Sequence, residues 1–452
     1  MSVNYGLLRP QENGMVFSVK ALAGNGGKTS LIQGEEAYVR RFWNQPISAR
    51  LYADIALAAR YIGVTENFRE VVDYFKTPED ETPAGFRLEF IAEADGVVRA
   101  DLVRDIGYDK NGQKRPTKLL FSADSANPYE VASIANLIAN LTCNPGIIYD
   151  LFINNPKANA GNKFKTRDEV MSEIGRILGP GVDISVELNN PFESDINKVL
   201  EEAAKFREIL SPYRVVIKVP HTGPVNADNV QELLSGDKKF SLKYDQGKTQ
   251  DFFRGHNLAL ALREHGYRVN FTLMFEPYQT ALALQAKPYF INSFIRHRLV
   301  QSQEIERHLE LYRTSGDHSF LAALRQFFIE KDYLPSGAGQ TGLPEIKAAA
   351  ERLLHYRGFG PGGEGRDGLD SVRHNLRILK NTNLPETRLI ICSMEGETMY
   401  PAIDKMLTEE EFSSMADRVV ITAEPEYLAR FTSTNQVVSY QRRFMNAASG
   451  AK

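Results

Sequence analysis

The chain has 452 residues, 42% hydrophobic and 25% charged, and its 54 basic and 57 acidic side chains leave a formal charge of −3. That is globular composition with length for two or three domains, and it lacks the basic excess that binding to phosphate backbones requires, which argues against nucleic acid as a partner. Two cysteines, Cys143 and Cys392, cannot build a disulfide framework and show no metal-ligand spacing, so a reducing, cytoplasmic setting is expected. The first residues lack a basic stretch followed by an apolar core, and no apolar run approaches the ~18 residues of a membrane helix, so neither secretion nor membrane spanning is expected.

In chain order, residues 1–117 predict a small α+β domain. MVFSVKALAG reads as a strand, EEAYVRRFWNQ through NFREVVDYF as helical, and FRLEFIAEADGVVRADLV alternates around Asp95 and Gly96, which is hairpin chemistry. GNGGKTS at 24–30 is glycine-rich like a phosphate loop, but Leu22 stands where that motif needs its first glycine. The sequence assigns this domain no role and leaves open substrate gating, an oligomer contact or a separate binding site.

From Lys118 onward, short apolar runs alternate with helical patterns: KLLFSAD, the weaker ANLTC, VDISVEL, YRVVIKV, YRVNFTLM, PYFINSF, TRLIICS and DRVVITA. Eight buried strands with intervening helices predict a parallel (β/α)8 barrel over residues 118–435, an α/β TIM barrel. In such barrels the chemistry sits where strands give way to loops, which singles out Asp124, Asn144, Glu187, Lys218, Thr272, Asn292 and Ser393. Two insertions follow strands and are therefore expected on the catalytic face. Residues 222–256 carry Lys238, Lys239, Lys243, Lys248 and Arg254; residues 299–386 are mostly helical and contain GFGPGGEGRDG, read as a mobile linker because its GxGxxG follows a helix and includes Pro361. Residues 436–452 form a C-terminal tail, and disorder is expected only at the termini and in the glycine-rich stretch.

Lys218 lies inside VVIKVP, where burial disfavours the ammonium and lowers its pKa toward the nucleophilic amine. Such an amine can condense with a ketone to an iminium, an electron sink for breaking the adjacent carbon–carbon bond. A structural lysine paired with Glu187 or Asp124 is the competing reading.

These strand ends resemble the transaldolase family, in order and through several motifs. DSAN with Asp124, TCNP with Asn144, ISVE with Glu187, VIKVPHT with Lys218, VNFTLMF with Asn270 and Thr272, Gln279, INSF with Phe294, and TRLIICS with Ser393 are each similar to a family motif, and ADRVVIT resembles the eighth strand. The resemblance implies transfer of a dihydroxyacetone unit from a ketose phosphate to an aldose phosphate, as in the pentose phosphate pathway, with no metal or organic cofactor. It also implies roles. Lys218 would be the Schiff-base lysine, and Glu187 with Thr272 would hold a proton-shuttling water. Asp124 would be the acid–base group of bond cleavage, and Asn144, Asn270 and Ser393 would orient the three-carbon unit. The related fructose-6-phosphate aldolases resemble the same barrel but carry glutamine and tyrosine where this chain has Glu187 and Phe294, which favours transfer over cleavage.

The resemblance fails at the phosphate. The family's two arginines fall on His297 and Glu395, and a neighbouring serine becomes Asn292. Two lost charged hydrogen bonds cost about 3 to 6 kcal/mol. Either Arg298 and the basic insertion re-site the phosphate, or the substrate lacks one; as a bland alternative, the insertion is a solvated loop. Sugars or sugar phosphates are thus the expected partners, with a homo-oligomer also compatible. A carbon–carbon lyase, a transferase for an atypical sugar and a non-catalytic sugar-binding barrel are the alternatives.

Overall fold

A computed structural model describes residues 9–11, 14–23, 29–394 and 396–450. Two compact units make up the chain, one of residues 1–117 with 180–182 and the other of 118–179 with 183–452. The larger unit is a closed barrel of eight parallel strands. They are β1 (Leu120–Asp124), β2 (Asn140–Cys143), β3 (Asp183–Glu187), β4 (Val215–Pro220), β5 (Arg268–Thr272), β6 (Phe290–Phe294), β7 (Arg388–Cys392) and β8 (Val419–Ala423). Each strand pairs with the next in sequence and β8 returns to β1. Every expected strand is present, and the TIM barrel inferred from the apolar runs is the architecture found.

The strands carry polar residues at alternate positions, and these meet inside the barrel. Asn140 donates to Ser122 at 3.0 Å and accepts from Ser185 at 3.2 Å, while Arg268 pairs with Asp183 at 2.6 Å. The intervening residues, among them Leu141, Ile184, Ile217, Phe271 and Ile291, are fully buried against the surrounding helices. The barrel interior is therefore polar and hydrogen-bonded below the strand ends that carry the site residues, and apolar on its outer face.

The smaller unit holds a three-stranded antiparallel sheet and a four-stranded sheet. In the latter, Phe86–Ala92 and Val97–Arg104 form the expected antiparallel hairpin, with Asp95 and Gly96 at φ of +61° and +76°. Of the glycine-rich 24–30 segment, residues 24–28 lie outside the described residues.

The second insertion is helical and has its own small core. Helices Arg296–Ser315, Ser319–Glu330 and Leu343–Tyr356 bury Ile305, Leu309, Leu321, Leu324, Phe328, Ile346 and Ala350 against one another. The glycine stretch that follows departs from the expected mobile linker. Gly365 donates to the Gly358 carbonyl at 3.1 Å, and a Cβ on Gly365 would lie 1.8 Å from the carbonyl oxygen of Arg357. Glycine is required there by close backbone packing rather than by freedom. The C-terminal tail also differs, forming a helix over Asn435–Ala448 capped by Thr434.

Candidate active site

Parallel register builds the centre of the site. Glu187 on β3 is the cross-strand neighbour of Lys218 on β4, and Lys218 is the neighbour of Asn270 on β5. The Lys218 Nζ lies 3.4 Å from Glu187 Oε2, with the lysine side chain only 6% exposed. Across the barrel Asp124, at the end of β1, accepts from the Thr142 hydroxyl at 2.8 Å, and Thr142 lies 3.4 Å from Thr422 on β8.

The charge state of Lys218 corrects the expectation from burial alone. Burial is the largest single effect and pushes the ammonium toward losing its proton, but Glu187 and then Asp124 outweigh it, and the pKa stands above the ordinary lysine value. Asp124 moves upward too, chiefly through burial, with Glu424 and Glu187 adding to it and Lys218 and Thr142 opposing it. Two carboxylates thus face one ammonium, and Asp124 is a buried carboxyl with raised proton affinity. That is the electrostatic arrangement of a proton exchange.

Asn270 is fully buried. Its Oδ1 accepts from Asn292 Nδ2, yet its own Nδ2 has no hydrogen-bond partner. An unsatisfied buried donor beside Lys218 costs free energy unless a ligand accepts from it. Asn292 also donates to the Phe271 carbonyl at 2.8 Å, so it ties β5 to β6. Thr272 is 1% exposed at the end of β5, in register with Pro220.

The remaining expected residues lie at the ends of other strands. Asn144 follows β2, and its Oδ1 accepts from the Ile147 amide at 2.9 Å, a turn-capping bond. Ser393 follows β7 with φ of +56°, and its carbonyl accepts from the Arg296 amide at 2.9 Å. A non-glycine residue in this left-handed region stores strain of a kind that clusters at functional sites. The Phe294 ring lies 4.7 Å from that of Phe275, and Gln279 accepts from the amides of Phe275 and Glu276, holding the loop after β5.

Arg298 is engaged elsewhere. Its guanidinium forms ion pairs with both Asp370 and Glu276, and Arg357 reaches Glu276 from the other side at 2.9 Å. This buried cluster joins the second insertion to the loop after β5. Within the first insertion, Lys239 pairs with Asp332 at 3.0 Å and Lys243 with Asp245 at 2.7 Å. Glu395 lies outside the described residues.

Residues 121–319 match the family model described as Transaldolase/Fructose-6-phosphate aldolase. That stretch of the barrel is similar to this family. The match runs from β1 through β6 into the second insertion, so β7 lies beyond it. The match points to an enzyme of the general transaldolase or aldolase type. No curated protein matches the chain.

Sequence reasoning missed Thr142, Thr422, Asn140, Ser122 and Ser185. Their signal was available as polar residues two apart within apolar strands. Among the described residues no group of three or more His, Cys, Asp or Glu side chains could hold a metal ion, and no helix is long and apolar enough to cross a membrane. Cys143 and Cys392 are buried strand residues, and burial pushes the Cys143 thiol up to about 12.

Proposed function

We propose that this protein transfers a dihydroxyacetone unit from a ketose or ketose phosphate to an aldehyde acceptor through a Schiff base on Lys218. The observation that carries the reading is a lysine 6% exposed inside the barrel, 3.4 Å from one carboxylate and under the field of a second. The family match to transaldolases and aldolases supports it. The chemistry is self-sufficient, because the lysine iminium is itself the electron sink.

The Lys218 ammonium first gives up its proton, with Glu187 as the nearest acceptor directly or through a water near Thr272. The amine adds to the donor's ketone carbon, and the carbinolamine loses water to form the iminium. Asp124 then takes the proton of the donor's hydroxyl on the far side of the bond. That carbon–carbon bond breaks, its electron pair enters the iminium to give an enamine, and the aldehyde product leaves. The acceptor reverses these steps and water releases the new ketose. Asn270 Nδ2 donates to an oxygen of the three-carbon unit, with Asn144 and Ser393 as further positioning groups. Asn292 and Phe294 shape the wall beside it.

A second reading is simple cleavage, since the matched family includes aldolases. Glu187 and Phe294, by the resemblance described above, favour transfer. Incubating the protein with fructose 6-phosphate or fructose, with and without an aldehyde acceptor, separates the two. Transfer predicts a new ketose that requires the acceptor; equal carbon–carbon cleavage without one would establish a lyase.

A further inference from the structure

Asn270 on β5 and Asn292 on β6 are both buried, and their amides settle each other's orientation. The fixed point is the Phe271 carbonyl, which can only accept, so the Asn292 atom 2.8 Å from it is Nδ2. That nitrogen carries two hydrogens, and the second goes to Asn270 Oδ1. The other end of the Asn292 amide, Oδ1, faces the Cys392 thiol on β7 at 3.8 Å, a weak donor and therefore a matching one. Groups on β5 and β7 thus hold an amide on β6 in one of its two orientations. The consequence falls on Asn270. With Oδ1 turned to Asn292, its Nδ2 points out of the network, and Nδ2 is the atom without a hydrogen-bond partner among the described residues.

We propose that Asn292 is a positioning residue that locks the Asn270 amide with its donor toward the Lys218 adduct, so that the site selects a ketone carrying a hydroxyl beside its carbonyl. The inference rests on the Schiff-base reading and specifies how its site tells a hydroxyketone from a plain ketone. Asn270 is the cross-strand neighbour of Lys218, so a ketone bonded to Nζ brings the group on its adjacent carbon to Nδ2. A hydroxyl there accepts from the buried donor, whereas a methyl leaves it desolvated and unpaired. Asn292 is what keeps that donor for the ligand. Without it the Phe271 carbonyl loses a hydrogen bond that Asn270 Nδ2 can replace by turning, since Asn270 Oδ1 and the Phe271 carbonyl both bond one atom, Asn292 Nδ2. The donor is then spent on the backbone. A serine here, as in the family that the strand ends resemble, carries one hydrogen and serves only one of the two acceptors. The pair of hydrogens on the Asn292 amide is therefore the feature that fixes which end of Asn270 meets the substrate.

The test compares hydroxyacetone with 2-butanone, which carries a methyl in place of the hydroxyl, on the full-length protein. Each ketone is titrated with borohydride trapping, and the adduct on the Lys218 peptide is quantified by mass to give a half-saturating concentration. The proposal expects wild type to favour hydroxyacetone by about tenfold and Asn270→Ala to bring the two ketones near parity. Asn292→Leu should narrow the preference by at least about threefold, through hydroxyacetone alone. In the Asn270→Ala background the same substitution should change nothing further, because the group it positions is gone. Asn292→Ser should fall between wild type and Asn292→Leu, and it carries the comparison if the leucine variant does not fold. A wild-type preference below about threefold, an unchanged preference in the Asn292 variants, an equal weakening of both ketones, or the same narrowing with Asn270 already removed overturns the positioning role and leaves Lys218 intact. Absence of a hydroxyacetone adduct on Lys218 also overturns it. If fructose, fructose 6-phosphate and dihydroxyacetone give no adduct there either, the Schiff-base reading falls as well.

Discussion

Replacing Glu187 with glutamine keeps the shape of the side chain and removes the charge 3.4 Å from Lys218. At an effective dielectric of about 20, opposite unit charges at that separation attract by about 5 kcal/mol. Asp124 remains to supply part of the field, so the proton affinity of Lys218 should fall without losing all of its support. In the wild type the neighbouring carboxylates hold the proton affinity of Lys218 above the ordinary lysine value. The rate of borohydride-trapped adduct formation, followed by intact mass across pH, reports the free amine directly. Its rising limb should move to lower pH in Glu187→Gln, while overall turnover falls through loss of proton exchange. An unmoved limb, or one displaced to higher pH, would refute the reasoning. Stability follows with a definite sign. Because folding raises the Lys218 pKa, the stabilisation is full below the unfolded lysine value near ~10.4 and is lost as pH rises through the folded value. The variant should therefore be less stable than wild type at neutral pH by about 3 to 5 kcal/mol, and the gap should close under strongly alkaline conditions.

Asp124→Asn tests the second carboxylate. Its folded pKa is raised, so its favourable contribution is present below the unfolded value near ~3.9 and disappears as pH rises through the folded one. Thermal unfolding should show the variant gaining on wild type between acid and neutral pH, and transfer should be abolished; a constant difference across pH contradicts the shift. Asn270→Ala should raise the ketose concentration that half-saturates adduct formation by about three- to tenfold, the worth of one neutral hydrogen bond. Its effect on melting should be small, because Asn292 keeps its bond to Phe271. Arg298→Ala leaves Asp370 uncompensated, while Glu276 keeps Arg357, and should cost about 3 to 5 kcal/mol in denaturant unfolding. The preference between fructose and fructose 6-phosphate should be unchanged; a selective loss of activity on the phosphorylated sugar would show Arg298 to be a phosphate ligand.

The barrel was legible because strands buried in a parallel sheet are apolar runs, and all but the weaker ANLTC stand out against the helical stretches between them. The same runs contained Ser122 and Asp124, Asn140 and Thr142, and Ser185 and Glu187, whose two-residue spacing marks one face of a strand. That face points into the barrel rather than to solvent, so the polar interior was hidden in plain spacing. The pKa of Lys218 was misread because sequence reveals burial but not the register that sets Glu187 beside it. Arg298 has the same difficulty. Its partners Glu276 and Asp370 come from distant segments, and only the packing of the second insertion brings them to its guanidinium. The glycine stretch looked mobile by composition, whereas Gly365 is there because a side chain would strike the Arg357 carbonyl. Nothing local in the sequence distinguishes those two reasons for glycine.

The central claim is that Lys218 becomes covalently bonded to a ketose. Borohydride reduction of the protein with fructose, fructose 6-phosphate or dihydroxyacetone, followed by peptide mass mapping, tests it most directly. The account predicts an adduct on the peptide that carries Lys218, with a mass gain equal to the ketose, or to the three-carbon unit left after cleavage, less one oxygen. An adduct confined to other lysines, or none with any of the three ketoses, would contradict it.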